Sequence, residues 1–311
     1  MSLLVREGLV STVIPVSNQA VLSIKSVESV LAQTYRPIEI IIVNAGASHE
    51  TAQRLSELAV KYSEVRIFSQ SNQALCAARE LGRLNAKGEF IQYCENGDVL
   101  LPAKFAAQIK ALKLAANSDV AYGNTQELAN ESTEFESMFP FFLHKRGWQT
   151  ANPLYRRSIV DLNGPWLDTA FYSGWEYDCR IAKLGARTAF VDQVVCAPEK
   201  IDRAESQGNK LQLQDLSLVR AKIFRHAQSY MQLEQRPTEI KEQDWQIFSE
   251  SAFELACECA LNGLKAEARA MTNISIESIG KKTPRHRIFL MMVKWAGWKK
   301  AAQAIMASQK N

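Results

Sequence analysis

The sequence predicts an α/β protein with a mainly parallel sheet flanked by helices, followed by an all-helical C-terminal region. Three observations predict it. Strand-like and helix-like periodicities alternate through the first 122 residues, as βαβ units require. The run IEIIIV at 38–43 is nearly continuously apolar and β-branched, the mark of a strand covered on both faces. After Leu211 only helical spacing remains.

The elements follow in order. Residues 9–14 read as a short strand ending at Pro15, and 20–33 as a helix with apolar positions at Val21, Ile24, Val27, Val30 and Leu31. Strand 38–43, helix 51–62, strand 65–68, helix 74–86 and strand 89–94 come next. Pro102 opens a helix to about 115, and 119–122 is one more strand. Ligands in such sheets bind beyond the carboxyl ends of the strands, so the loops to inspect start at Pro15, Asn44, Ser69 and Glu95. The pattern loses regularity from 124 to 208. Residues 245–261 and 264–276 read as a helical hairpin closed by Asn262-Gly263. Residues 286–306 read as one last helix with an apolar stripe at Ile288, Met291, Met292, Trp295, Trp298, Ala302 and Ile305. Two domains are expected, 1–208 and 209–311.

The apolar fraction of 47% and the charged fraction of 23% belong to an ordinary globular protein. A net charge of +4 gives no case for a nucleic acid partner. Its distribution is uneven: from Gly280 onward there are eight Lys or Arg and no Asp or Glu, leaving the rest of the chain at −4 (4 − 8). Such a tail suits an anionic surface. The six cysteines are scattered through apolar runs and read as reduced, buried thiols. The four histidines have no ligand spacing and read as surface residues, with His144 singled out because 139–148 is aromatic and basic. No window reaches the roughly 20 apolar residues of a spanning helix, so the expected location is cytoplasmic, with peripheral membrane contact through 280–311.

Taken together, the strand-end segments resemble the family 2 glycosyltransferases. The segment LVSTVIPVSN (9–18) resembles that family's opening strand, and SVESVLAQTY (26–35) with IEIIIV (38–43) its first helix and second strand. NQALCAARELG (72–82) is similar to its Asn-Gly-Gly helix. GEFIQYCENGDVLLP (88–102) falls on the loop carrying its metal-binding acids. NPLYRRS (152–158) and GWEYDCR (174–180) resemble its acceptor-side segments. The resemblance covers about residues 9–195 and implies the Rossmann-like GT-A fold.

It also implies inverting transfer from a nucleoside diphosphate sugar to a glycan or lipid-linked acceptor, in glycan or cell-surface polysaccharide assembly. By that resemblance Pro15, Val16, Ser17, Asn18, Asn44, Gly46, Asn72, Arg79, Glu95 and Asn96 fall at the donor. Glu95 and Asp98 are the candidates for holding Mg²⁺ or Mn²⁺, Glu176 and Asp178 for the base, and Arg156, Arg157 and Trp175 for the acceptor side. Three departures stand out. The usual Asp-Asp-Gly-Ser after the second strand is Asn44-Ala45-Gly46-Ala47. The metal loop Asp-Ser-Asp-Asp is Glu95-Asn96-Gly97-Asp98, with Gly97 where the metal carboxylate belongs. The acceptor-side Glu-Asp-Trp falls on Ser173-Gly174-Trp175. Glu176 and Asp178 lie about 200° apart on a helix, so at most one of them faces a cleft. Two readings follow: a transferase with an altered site, or a catalytically inactive relative retained as a binding or scaffold partner.

Overall fold

A computed structural model describes residues 5–16, 20–71, 74–126, 134–139, 142, 146–167, 173–197, 217, 220–221, 224–225 and 242–308. The chain divides into two compact units. The first comprises Met1–Met138, Trp148–Asp168 and Ala186–Ser206; the second comprises Phe139–Gly147, Thr169–Gly185 and Gln207–Asn311.

The first unit is built on one eight-stranded sheet. Its strands are β1 (Arg6–Val16), β2 (Ile38–Asn44), β3 (Val65–Ser69), β4 (Gly88–Tyr93), β5 (Val99–Leu100), β6 (Val120–Thr125), β7 (Leu154–Arg156) and β8 (Thr188–Ala197), in the order β3-β2-β1-β4-β7-β6-β8-β5. β1, β2, β3 and β4 pair in parallel, as do β6 and β8. The short strands β7 and β5 pair antiparallel, so the sheet is mixed. Helices α1 (Ala20–Leu31), α2 (His49–Lys61), α3 (Leu75–Asn85), α4 (Lys104–Leu114) and α5 (Arg157–Asn163) belong to the same unit. Strands β1 and β2 are buried along nearly their whole length, which is why they read as continuous apolar runs rather than alternating ones. Val10, Ile14, Ile40, Ile42, Phe90, Phe105 and Leu112 anchor the core. Because β1, β2 and β4 run the same way, their carboxyl tips at Val16, Asn44 and Tyr93 share one edge of the sheet.

The second unit contains α6 (Ser173–Lys183) and the helices α7 (Glu242–Leu261), α8 (Lys265–Ile279), α9 (Pro284–Ala296) and α10 (Trp298–Ala307). The expected single last helix is two. Gly297 between them adopts φ +82°, a left-handed conformation that interrupts an α-helix. The apolar stripe divides accordingly: Ala302 and Ile305 are buried, whereas Ile288, Met291 and Trp295 are exposed. His286, expected at the surface, is buried and forms a capping box with Thr283 at the start of α9. All six cysteines are free and buried. Among the described residues no helix is long and apolar enough to cross a membrane.

Candidate active site

Three strand tips build the edge of the first unit. Val16 ends β1 opposite Asn44 at the end of β2, and the Ala45 amide donates to the Val16 carbonyl at 2.8 Å. The Asn44 side chain turns back on its own loop: Oδ1 accepts from the amides of Gly46 (3.1 Å) and Ala47 (2.8 Å). This Asx turn commits the oxygen and leaves Nδ2 as the hydrogen-bonding group that can face a ligand. Pro15 and Val16 lie at the end of β1, while Ser17, Asn18 and Asn72 lie outside the described residues.

The loop after β4 is pinned by a row of serines on α1. Ser23 Oγ donates to Asn96 Oδ1 (2.9 Å), Ser26 Oγ accepts from the Gly97 amide (3.0 Å), and Ser29 Oγ accepts from the Leu100 amide (3.1 Å). These positions recur every third residue, so they form one polar row along the helix. That row is the sequence signal for them, and Ser26 and Ser29 lie in the segment that resembles the family's first helix.

Within this loop both candidate metal ligands are committed. Glu95 Oε1 accepts from Arg79 at 2.9 Å and from Thr150 Oγ1 at 2.8 Å. Asp98 Oδ2 accepts from the Glu95 amide at 3.0 Å, closing the turn. Gly97 has φ +89°, a conformation that strains any side-chain-bearing residue, so the loop is shaped around the missing carboxylate. Among the described residues no three His, Cys, Asp or Glu groups gather as metal ligands. The expected Glu95–Asp98 pair does not fit a divalent cation, since a guanidinium already occupies the glutamate.

Arg79 is fixed from several sides. Its guanidinium carbon lies 4.7 Å from the centroid of Trp166, whose ring meets Tyr93 edge-on at 4.9 Å. Only 5% of the Arg79 side chain is exposed against 47% for Glu95. Arg79 therefore acts on the loop through Glu95. Sequence reasoning placed Arg79 at the donor but missed Thr150 and Trp166, which lie more than fifty residues away and belong to no motif.

Beneath the loop lies a buried polar network. Lys104 Nζ donates to Gln108 Oε1 (2.7 Å) and to the Asn152 carbonyl (2.5 Å), while the Asn152 side chain exchanges hydrogen bonds with Gly123. Full burial pulls the Lys104 ammonium down to about 7. Asn152, quoted in an acceptor-side motif, is thus an internal brace.

Arg156 and Arg157 are elsewhere. Arg156 pairs in register with Phe90 and donates to the carbonyls of Ser118 and Leu112; Arg157 donates to the carbonyl of Gly88. Gly88 begins β4, roughly 16 Å of strand from its carboxyl tip. These arginines were expected on the acceptor side, and the register places them towards the start of β4.

In the second unit, the two candidate bases on α6 are buried and paired. Glu176 meets Arg180 at 2.7 Å, and Asp178 meets Arg146 at 2.9 Å, with 4% and 1% of the carboxylate side chains exposed. Neither is the solvated acid that α6 periodicity allows. Trp175 is buried too, its Nε1 donating to the Phe142 carbonyl. A Cβ built on Gly174 would lie 2.5 Å from Arg146 Nη2, so the guanidinium occupies the space a side chain there would need. His144 lies outside the described residues; nearby Phe139 packs edge-on against Trp245.

The three strand tips and their loops lie in the segment that is similar to known proteins. Residues 11–160 match the model of glycosyl transferase family 2. That segment, just under half of the chain, is similar to the family 2 glycosyltransferases. An uncharacterized glycosyltransferase of Rickettsia typhi is 34% identical over 126 residues, 40% of this chain and 38% of the relative. Glycosyltransferase GlyG of Streptococcus pneumoniae is 29% identical over 117 residues, 37% and 38% of the two chains. A Rickettsia felis relative, 34% identical, is matched over 33% of this chain and 17% of its own length, so the similarity spans well under half of these relatives. Solved structures share the fold across both units. S. aureus TarS 1-349 in complex with UDP-GlcNAc superposes with a TM-score of 0.69 at 12% identity, covering 97% of this chain and 91% of that one. The mannosyltransferase PcManGT of Pyrobaculum calidifontis, in complex with GDP-Man and Mn²⁺, gives 0.58 at 13% identity, covering 96% and 85%. At such identity the likeness establishes the GT-A fold and its helical extension, and nothing finer.

Proposed function

We propose that this chain binds a nucleoside diphosphate sugar at the carboxyl edge of β1, β2 and β4 and transfers the sugar, with inversion, to a glycan or lipid-linked acceptor. The observation that carries this reading is the convergence of three family loops on one sheet edge, within a fold shared with TarS, which binds UDP-GlcNAc. Pro15, Val16, Asn44 and Gly46 form the nucleotide side, with Ser17, Asn18 and Asn72 assigned there by family resemblance. Asn44 contributes its Nδ2 donor, and Asn96 with Arg79 and Glu95 shapes the loop beside the diphosphate. In the transfer the acceptor oxygen bonds to the anomeric carbon as the bond to the diphosphate breaks, and the acceptor proton passes to a carboxylate. Glu176 and Asp178 are the candidates, and each must leave its arginine to accept that proton.

A second reading, a family member that binds without turnover, is favoured by one observation: Glu95, Asp98, Glu176 and Asp178 are all committed to internal hydrogen bonds. Removing a well-placed electrostatic stabiliser typically costs about 10²–10³ in rate. Calorimetry with UDP, GDP and TDP, with and without Mn²⁺, followed by an assay for sugar release, separates the two. Binding with sugar release supports transfer; binding without release, for every sugar donor tried, supports the silent reading. Failure of all three nucleotides to bind removes both.

The exposed face of α9 supports a location for this activity. Ile288, Met291 and Trp295 are 49%, 57% and 82% exposed in a segment whose charged residues are all basic. We read it as a contact for an anionic membrane on the cytoplasmic side, which would bring a lipid-linked acceptor within reach.

A further inference from the structure

We propose that the helical unit carries a saccharide-binding cavity of its own. It rests on the glycosyl-transfer reading only for what the bound saccharide is for, namely retention of the acceptor glycan.

The cavity measures about 650 Å³, opens to solvent, and is lined by the first half of α7, the end of α8 and the start of α9. Helical spacing on α7 sets two neighbouring rows along it. Glu242, Gln246 and Glu250 form an exposed polar row, and Trp245, Ser249 and Phe253 a buried one. The floor is rigid and internally satisfied. Ser249 Oγ donates to the Ser275 carbonyl (2.7 Å) and Ser275 Oγ to the Ser249 carbonyl (2.6 Å), locking α7 to α8. The His286 ring is equally fixed. Its Nδ1 accepts from the Thr283 amide (3.2 Å), so Nε2 carries the proton towards Ser275 Oγ (2.8 Å). Short hydroxyl side chains at Ser249, Ser275 and Ser278 leave open volume where larger apolar groups would fill a helical core.

Trp245 and Phe253 are buried, and Arg285 already lies over the Phe253 ring, so ligand contacts come from the rim. Glu242, Glu250 and Glu277 bring three carboxylates, Lys281 and Arg285 two cations, and Gln246 an amide. An anionic ligand would meet the carboxylates, a cationic one would meet Lys281 and Arg285, and an apolar one would strip water from both sets. A neutral ring with many hydroxyls satisfies them all. Its hydroxyls donate to carboxylates and accept from Lys281, Arg285 and Gln246. The volume falls within the range of pre-formed small-molecule sites.

Saturation-transfer NMR on the full chain, without nucleotide, tests this with maltotriose, mannotriose and chitotriose as neutral probes. A glucosamine trimer serves as the cationic probe and a hyaluronan tetrasaccharide as the anionic one. The expected result is saturable binding of at least one neutral probe. The exposed-rim variant Gln246→Ala/Glu250→Ala, whose fold is checked by circular dichroism, should weaken it at least about tenfold. No neutral probe binding, binding of a charged probe alone, or binding unchanged in the variant would each overturn the proposal. Nucleotide calorimetry on the same samples keeps the questions apart. Saccharide binding with no nucleotide binding leaves the cavity standing and removes the transferase reading, and the converse removes the cavity.

Discussion

Arg146 fills the space above Gly174: an added Cβ would come within 2.5–2.8 Å of its guanidinium atoms, while the same guanidinium holds the buried Asp178 at 2.9 Å. The two positions are therefore coupled. Gly174→Ala should push Arg146 away and weaken its hold on Asp178, costing about 1–3 kcal/mol as overpacking typically does. Arg146→Met removes the ion pair of a buried carboxylate and should cost about 3–5 kcal/mol. Chemical denaturation measures both. A Gly174→Ala protein as stable as the parent would show that Arg146 has room to move.

The Arg79–Glu95 pair predicts an asymmetry. Arg79 is buried and Glu95 half exposed, so the penalty for an unpaired charge falls on the arginine. Glu95→Gln should therefore destabilise the domain by about 1–3 kcal/mol, more than Arg79→Met, after which the half-exposed Glu95 keeps its Thr150 bond and can hydrate. Neither change should create tighter nucleotide binding on adding Mn²⁺, because Gly97 supplies no carboxylate. Thermal unfolding and calorimetry on the two variants check the order; a larger loss from Arg79→Met would reverse the argument.

Lys104 gives the first unit a pH dependence whose sign can be worked out. Its folded value is about 7, below the ordinary 10.5, so between these the unfolded chain binds more protons and stability rises with pH. Above about 9 the buried thiols oppose this. Burial raises Cys94 and Cys196, so unfolded cysteines ionise first and stability falls. The expected Tm rises from pH 7 to about 8.5, and Lys104→Met flattens the rise. Parallel profiles for the two proteins would show that Lys104 is not its source.

Much of the first unit was legible because its strands are buried locally and continuously. The runs at 38–43 and 9–14 announce β2 and β1 without help from distant residues. Glu95 and Asn44 were found through family loops, yet their commitments were not. Asn44 answers to its own loop amides, Glu95 to Arg79 and Thr150, and no local pattern encodes the second kind of partner. Arg156 and Arg157 were misplaced for the same reason: whether a strand end faces the ligand edge depends on its pairing, and β7 runs antiparallel to β4. The break at Gly297 was readable in principle. One glycine inside a persuasive apolar period was outweighed by the period, although the left-handed backbone decides the matter. The burial of His286 needs the turn at Thr283 and the far helix α7, neither of which spacing reveals.

The last prediction concerns α9. Ile288, Met291 and Trp295 lie within about 60° of one another around the helix, and the buried Phe289 and His286 lie on the other side. Arg287 and Lys294 flank the apolar face, and no acid follows Gly280. An apolar wedge beside basic residues gains from hydrocarbon insertion and from roughly 1 kcal/mol per basic residue near an anionic surface. The chain should therefore float with phosphatidylglycerol-rich vesicles and not with phosphatidylcholine ones. Salt should weaken the association as the Debye length shortens to about 8 Å at physiological ionic strength. The triple change Ile288→Ser/Met291→Ser/Trp295→Ser alters only exposed positions, so it should abolish flotation while leaving the thermal unfolding of the chain in place. Flotation that survives this change would move the contact to another part of the basic segment, and an intact chain that ignores acidic vesicles would end the membrane reading.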